Sequence, residues 1–85
     1  MPEQKVGEVM KFFLKPSVAA IKITEGALKV GDRIKFKGHT TDFEDVIQSM
    51  QIENKAVQEA GAGAMIGIKV KDRVRENDAV YKVVD

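Results

Sequence analysis

Between Gly31 and Gly38 the chain alternates without exception. Ile34 and Phe36 fall on one side of an extended backbone, and Arg33, Lys35 and Lys37 fall on the other, because successive strand side chains point to opposite faces. A helix cannot sort this pattern, since its same-face neighbours lie three and four residues apart. Residues 33–37 therefore read as a strand with one buried and one solvated face. Ahead of it, Gly31 suits a positive φ and Asp32 can bond the turn backbone through its carboxylate.

The same device recurs 46 positions on. Val74-Arg75-Glu76-Asn77-Asp78 matches Leu28-Lys29-Val30-Gly31-Asp32: apolar, basic, any residue, a residue tolerant of positive φ, then Asp. Asn is among the non-glycine residues that best accept the left-handed region. A strand follows again, from Ala79 to Val84, with Val80 in the place of Ile34. Two strands of one sheet system would thus enter through one turn type.

Other stretches extend the β reading. Val6 to Leu14 is rich in β-branched and aromatic residues, and Pro16 interrupts it, because proline cannot donate to a ladder. Val18 to Ile23 follows, with Ala19, Ile21 and Ile23 on one face; Ala64 to Val70 places Ile66, Ile68 and Val70 on one face. Gly67 inside the latter predicts a bend or a close backbone approach. Thr41 to Ala60 supports two readings. Phe43, Val46, Ile47, Met50, Val57 and Ala60 fit a helical stripe, with Thr41 and Glu44 as a capping box. Val46 to Ile52 also fits a strand, with Val46, Met50 and Ile52 on one face, then one helical turn over Asn54 to Ala60 and a loop at Gly61-Ala62-Gly63. About six short strands with Gly/Asp turns favour a small closed or nearly closed antiparallel barrel, and closure removes exposed edges.

Composition narrows the chemistry. Eighty-five residues suit one domain spanning 1–85. No cysteine is present, which excludes disulfides, thiolate metal sites and a thiol nucleophile. No apolar run approaches the roughly 20 residues of a membrane span, and no signal-peptide pattern is visible at Met1 to Gly7. A cytoplasmic location is expected. Net charge is +1, but residues 1–40 carry 8 basic and 4 acidic side chains, and residues 41–85 carry 6 and 9.

Few residues could carry a reaction. Gly61 to Gly67 has three glycines but lacks the Lys-Ser/Thr of a phosphate loop, and Asn54-Lys55-Ala56-Val57 lacks the Asp of a guanine-reading motif. No nucleotide binding and no cofactor are expected. His39 is the single histidine, set in a polar turn near Asp42, and a metal site would want a second nitrogen or sulfur ligand. Asp42, Glu44 and Asp45 lack calcium-loop spacing. Ser17 and Ser49 have no neighbouring base. What stands out is the row Arg33, Lys35 and Lys37, with Lys22 on a neighbouring strand. Its members are spaced about 6.6–7 Å apart, which suits a phosphate backbone. Phe12, Phe13 and Tyr81 could stack bases, although at least two of the three are expected in the core.

Taken in order, several stretches resemble the β-barrel second domain of translational GTPases such as elongation factor Tu and the initiation factors. They are Val6-Gly7-Glu8-Val9, Val18 to Ile23, Gly26 to Ile34, Ser49-Met50-Gln51-Ile52, Ala60-Gly61-Ala62-Gly63 leading to Ile66-Gly67-Ile68, and Val74 to Asp78. The resemblance implies a small closed six- or seven-stranded antiparallel β-barrel, all-β, with one short helical turn near 54–60. No GTPase domain accompanies it, so GTP hydrolysis is not implied. Ala64-Met65 stand where the transfer-RNA carriers have an acidic residue and Asn, while Gln51 stands where they place a Glu near the terminal adenosine. Such barrels also serve as accessory domains, for instance in collagenase-like peptidases.

The expectation is a stand-alone, non-enzymatic binding module that contacts RNA or the ribosome through Arg33, Lys35, Lys37, Lys22 and Gln51. The alternative is a protein-interaction barrel that docks to a separate enzyme.

Overall fold

In the computed structural model, residues 3–15 and 17–83 are described, and every regular element among them is a strand. The ten are β1 (Glu3–Phe13), β2 (Val18–Ile23), β3 (Ala27–Lys29), β4 (Arg33–Lys37), β5 (Asp42–Val46), β6 (Met50–Ile52), β7 (Lys55–Val57), β8 (Glu59–Gly61), β9 (Met65–Lys69) and β10 (Ala79–Val83). Eight form one antiparallel sheet in the order β5-β4-β10-β1-β2-β9-β6-β7, and β3 pairs with β8. The expected interruption at Pro16 and the end of the last strand at Val84 lie outside the described residues.

Alternation builds the core. β4 buries Ile34 and Phe36 completely, β2 buries Ala19, Ile21 and Ile23, and β9 buries Ile66 and Ile68, with Val70 beyond it. The paired strands put these side chains opposite one another: Ile21 faces Ile66, and Phe36 faces Val80 on one side and Phe43 on the other. The Phe36 and Phe43 rings sit 5.1 Å apart, tilted by 31°, within the favourable range for an aromatic pair.

The two Asp turns fold alike. Gly31 has φ 99° and Asn77 has φ 72°. Asp32 Oδ2 accepts the Lys29 N–H at 3.0 Å, and Asp78 Oδ2 accepts the Arg75 N–H at 2.8 Å. In each turn the Asp N–H returns to the carbonyl three residues back, at 3.1 Å in both. Leu28 and Val74, which open the turns, are buried.

Several expectations need correction. The sheet is not closed into a barrel: β5 and β7 each end it with one unpaired side. After Val46 the chain leaves the ladder, and Ile47 bonds instead to Gly31 and Asp32, so Val46 to Ile52 is two strands. Val46 is 43% exposed while Met50 is buried, which separates side chains expected on one face. No helical turn occupies 54–60. Glu53 (φ 50°) and Asn54 (φ 66°) instead form a two-residue hairpin loop that sets Met50 against Val57, the mirror-image turn that matches strand twist. The expected loop at Gly61-Ala62-Gly63 begins one residue later, since Gly61 ends β8.

Gly67 does not bend β9, whose ladder to β2 runs without a register shift. Curvature enters through β1, where the register slips between Lys5 and Gly7 against β10 and between Val9 and Lys11 against β2. Bulges of this kind bend a strand and increase its twist. The close backbone approach falls at Gly7, where a Cβ would collide with the Lys22 carbonyl.

Candidate functional site

The predicted basic row exists, but it is not free. Arg33, Lys35 and Lys37 share the outer face of β4, and Lys35 and Lys37 lie in register with Glu44 and Asp42 of β5. From β1, Glu3 reaches both lysines: Lys35 Nζ lies 3.4 Å from Oε2 and Lys37 Nζ lies 3.1 Å from Oε1. The Lys37 ammonium also lies 5.3 Å from the centroid of the Tyr81 ring. Its hydrogen bond, with the charges of both lysines, holds the Glu3 carboxyl below the ordinary carboxylate value, and the same bond pushes the Lys37 ammonium up. Glu3 thus engages Lys35 and Lys37, while Arg33 forms no ion pair among the described residues.

Lys22 is not on a strand next to β4. It sits on β2 between Glu8 and Met65, and β1 and β10 intervene. Gln51 is exposed on β6, in register with Ala56 and Gly67. The structure therefore gathers Arg33, Lys35 and Lys37, and leaves Lys22 and Gln51 apart from them. His39 is exposed on the Gly38–Thr41 turn. Among the described residues, no three His, Asp or Glu side chains group as an ion-holding cluster.

A second outer face was not anticipated. It spans β1 beyond its second bulge, then β2, β9, β6 and β7. One row across it runs Lys11, Ala20, Gly67, Gln51 and Ala56, each in register with the next. Beside it run Phe13, Val18 and Lys69 on one side, and Lys22 and Met65 on the other. Phe13 is 44% exposed, Met65 47% and Leu14 71%. The face is shallow at Ala20 and Gly67, whose side chains are small, and the exposed Gln51 stands beside Gly67. Its charged border is cationic, at Lys11, Lys22 and Lys69, with Glu8 at one margin, and Lys11 lies 5.2 Å from the centroid of the Phe13 ring.

At least two of Phe12, Phe13 and Tyr81 are expected in the core, yet none is fully buried and only Phe12 packs against it. The bulge at Met10 resets the alternation: Phe12 turns inward to pack on the core, and Phe13 turns out opposite Val18. Tyr81 shares the outer face with Lys35. The sequence signal was there in Phe12-Phe13, because adjacent strand residues cannot both face inward.

Residues 14–83 match the model of elongation factor G domain 2. The chain belongs to the elongation factor G domain 2 family. Over 78 residues it is 44% identical to an uncharacterized protease of Methanocaldococcus jannaschii, a match covering 91% of this chain and 19% of that protein. It is 35% identical over 78 residues to a collagenase of Porphyromonas gingivalis, covering 91% of this chain and 22% of that one. The chain spans about a fifth of the length of the curated relatives it matches. In fold it is similar to the C-terminal domain of a Geobacillus thermoleovorans protein described as a U32 peptidase. The TM-score is 0.88 and the identity 19%, covering 95% of this chain and 93% of that one.

These findings overturn the expected RNA or ribosome contact in translation. This elongation factor G domain 2 unit is similar in sequence to proteins named as a protease and a collagenase, and two members of its basic row, Lys35 and Lys37, pair with Glu3. No helix among the described residues is long and apolar enough to cross a membrane.

Proposed function

We propose that the chain is a non-catalytic accessory module of a peptidase, a single domain that docks onto a separately folded catalytic domain through the outer face of β2, β9 and β6. One observation carries this reading: Phe13 and Met65 stand exposed on either side of the row that holds the small residues Ala20 and Gly67. Exposed apolar patches of this kind mark interaction surfaces. Small side chains let a partner approach the sheet closely, and the exposed Phe13 supplies an aromatic anchor of the kind that dominates interface energies. The cationic border at Lys11, Lys22 and Lys69 suits a partner whose apolar patch is fringed with acidic residues. Catalysis is assigned to the partner, because His39 is exposed and has no hydrogen-bond partner among the described residues.

The test is a titration of this chain against the Methanocaldococcus relative from which the matching segment has been deleted. Calorimetry should show binding for the native chain. Phe13→Glu and Met65→Glu should each weaken it at least about tenfold, the effect of losing roughly 1.4 kcal/mol at an interface anchor. Moderate salt should slow association, because the lysine border steers it, while leaving most of the apolar affinity in place. Equal binding by the native chain and both variants would refute the assignment of the face.

A further inference from the structure

The edge strand β5 is a second, independent surface, and its backbone dictates what it can take. Gly38 and Thr41 exchange backbone bonds, at 2.8 and 3.4 Å, and Ile47 donates to the Asp32 carbonyl at 3.0 Å. Antiparallel ladders alternate bonded and non-bonded pairs. Counting by twos from Thr41 to Ile47, Phe43 and Asp45 turn their backbone groups toward β4. Asp42, Glu44 and Val46 turn theirs away from the sheet. The Val46 N–H is taken by the neighbouring Asp45 carboxylate at 2.8 Å. Asp42 and Glu44 keep an outward N–H and C=O with no partner among the described residues.

Side chains at the same two positions form no close ion pair among the described residues, although the charge of Asp42 acts on the Lys37 ammonium. Asp42 and Glu44 are exposed and lie in register with Lys37 and Lys35. Those lysines, however, are turned toward Glu3. On the opposite side of the strand, Phe43 packs against Phe36.

Grooves follow the edge at both ends. One of about 260 Å³ is lined by Thr41, Asp42, Phe43, Arg73 and Arg75 among others. Another of about 370 Å³ is lined by Arg33, Glu44, Val46 and Lys71 among others. The Lys71 N–H donates to Asp45 Oδ2 at 3.0 Å and ties the chain after β9 to the side of β5 that carries Phe43 and Asp45.

We infer that β5 captures an extended polypeptide by strand addition, with basic residues two apart flanking an apolar one. Main-chain bonds at Asp42 and Glu44 supply the pairing, and alternate side chains supply the selection, as in other edge-strand recognition. The captured residues opposite Asp42 and Glu44 place their side chains beside those carboxylates. The residue between them points to the Phe43 side. The polypeptide is assigned as substrate held for the peptidase, an assignment that rests on the accessory-module reading; the strand addition itself does not. The β5 edge and the apolar docking face share no residue, so both can be occupied together.

The experiment titrates the isotopically labelled 85-residue chain with acetyl-Lys-Leu-Lys-Leu-Lys-amide and follows backbone amide shifts. Saturable shifts at residues 41–46 are expected. A peptide N-methylated at its central Lys should bind at least tenfold more weakly. So should the variant Glu44→Pro, which deletes an outward N–H while sparing the ladder to β4, a replacement that edge strands tolerate. If that variant fails to fold, the N-methylated peptide alone decides. Equal affinity of plain and N-methylated peptides, equal affinity for acetyl-Glu-Leu-Glu-Leu-Glu-amide, or shifts mapping away from β5 would overturn the inference. So would absence of binding, which would reduce Asp42 and Glu44 to charges that guard the edge against aggregation. A dimer paired through β5 that the peptide does not dissociate would overturn it too. Peptide binding without docking to the protease relative would defeat only the accessory reading; docking without peptide binding would defeat only the strand addition.

Discussion

Replacing Asp78 with Ala tests whether the second Asp turn is held by its carboxylate. Asp78 is 5% exposed, and its Oδ2 accepts the Arg75 N–H at 2.8 Å. The backbone bonds of the turn do not depend on the side chain: Asp78 N–H to Arg75, Val9 N–H to Asp78, and Asn77 N–H to Val9 all persist. The substitution therefore removes one charge-assisted hydrogen bond and leaves the strand connections in place. Hydrogen bonds to charged groups contribute about 1.5–3 kcal/mol. The Arg75 N–H, on an exposed residue, can turn to water, and a buried charge is no longer desolvated. Both effects favour the lower half of that range, about 2 kcal/mol. A domain of this length holds roughly 4–13 kcal/mol in total, so the variant should fold. At about 4–8 °C per kcal/mol, its melting temperature should fall by roughly 8–16 °C. Urea and thermal melts followed by circular dichroism measure this, with an unchanged urea slope showing that the native state is intact. Asp32→Ala is the internal comparison: its Oδ2 takes the Lys29 N–H at 3.0 Å and also lies 3.3 Å from Lys82 Nζ. It should lose as much or slightly more. A shift below about 2 °C for Asp78→Ala, with Asp32→Ala well above it, would refute the equivalence of the two turns.

Two further outcomes follow from the same geometry. Gly31 has φ 99°, so Gly31→Ala should cost upwards of about 1 kcal/mol, while Gly31→Asn, which imports the residue of the second turn, should cost less; chemical denaturation of the pair checks the order. Glu3 titrates below its ordinary value in the folded chain, so its contribution is present above the unfolded value and fades as pH falls through the folded one; Lys37, raised, contributes below its unfolded value and fades as pH rises through the folded one. Glu3→Gln should therefore flatten the acid limb of the stability profile and lessen its salt dependence, and an unchanged limb would show that the pair contributes nothing.

Much of the fold was legible where a strand has one wet face. The alternation of Arg33 to Lys37 gave β4 its bounds, and Ile66, Ile68 and Val70 are buried as their spacing implied. The paired turns could be read from Gly31-Asp32 and Asn77-Asp78 because positive φ and an Asx-type bond are local demands. The stretch from Val46 to Ala60 was less legible. Its apolar spacing fits both periods, and the hairpin at Glu53-Asn54 is selected by the pairing of Met50 with Val57, a contact that propensity does not encode.

The candidate surfaces were harder to read than the fold. A basic row is visible in sequence, but whether a distant Glu3 pairs with Lys35 and Lys37 depends on β1 lying two strands from β4. The bulge at Met10 decides that Phe13 faces solvent, and the sheet order decides that Lys22 stands far from Arg33. Local chemistry thus determined which segments extend and where they turn, since each such choice is settled within a few residues. Strand order, register and the two open edges come from long-range pairing, and those pairings alone decided which charges meet and which backbone groups are left without a partner.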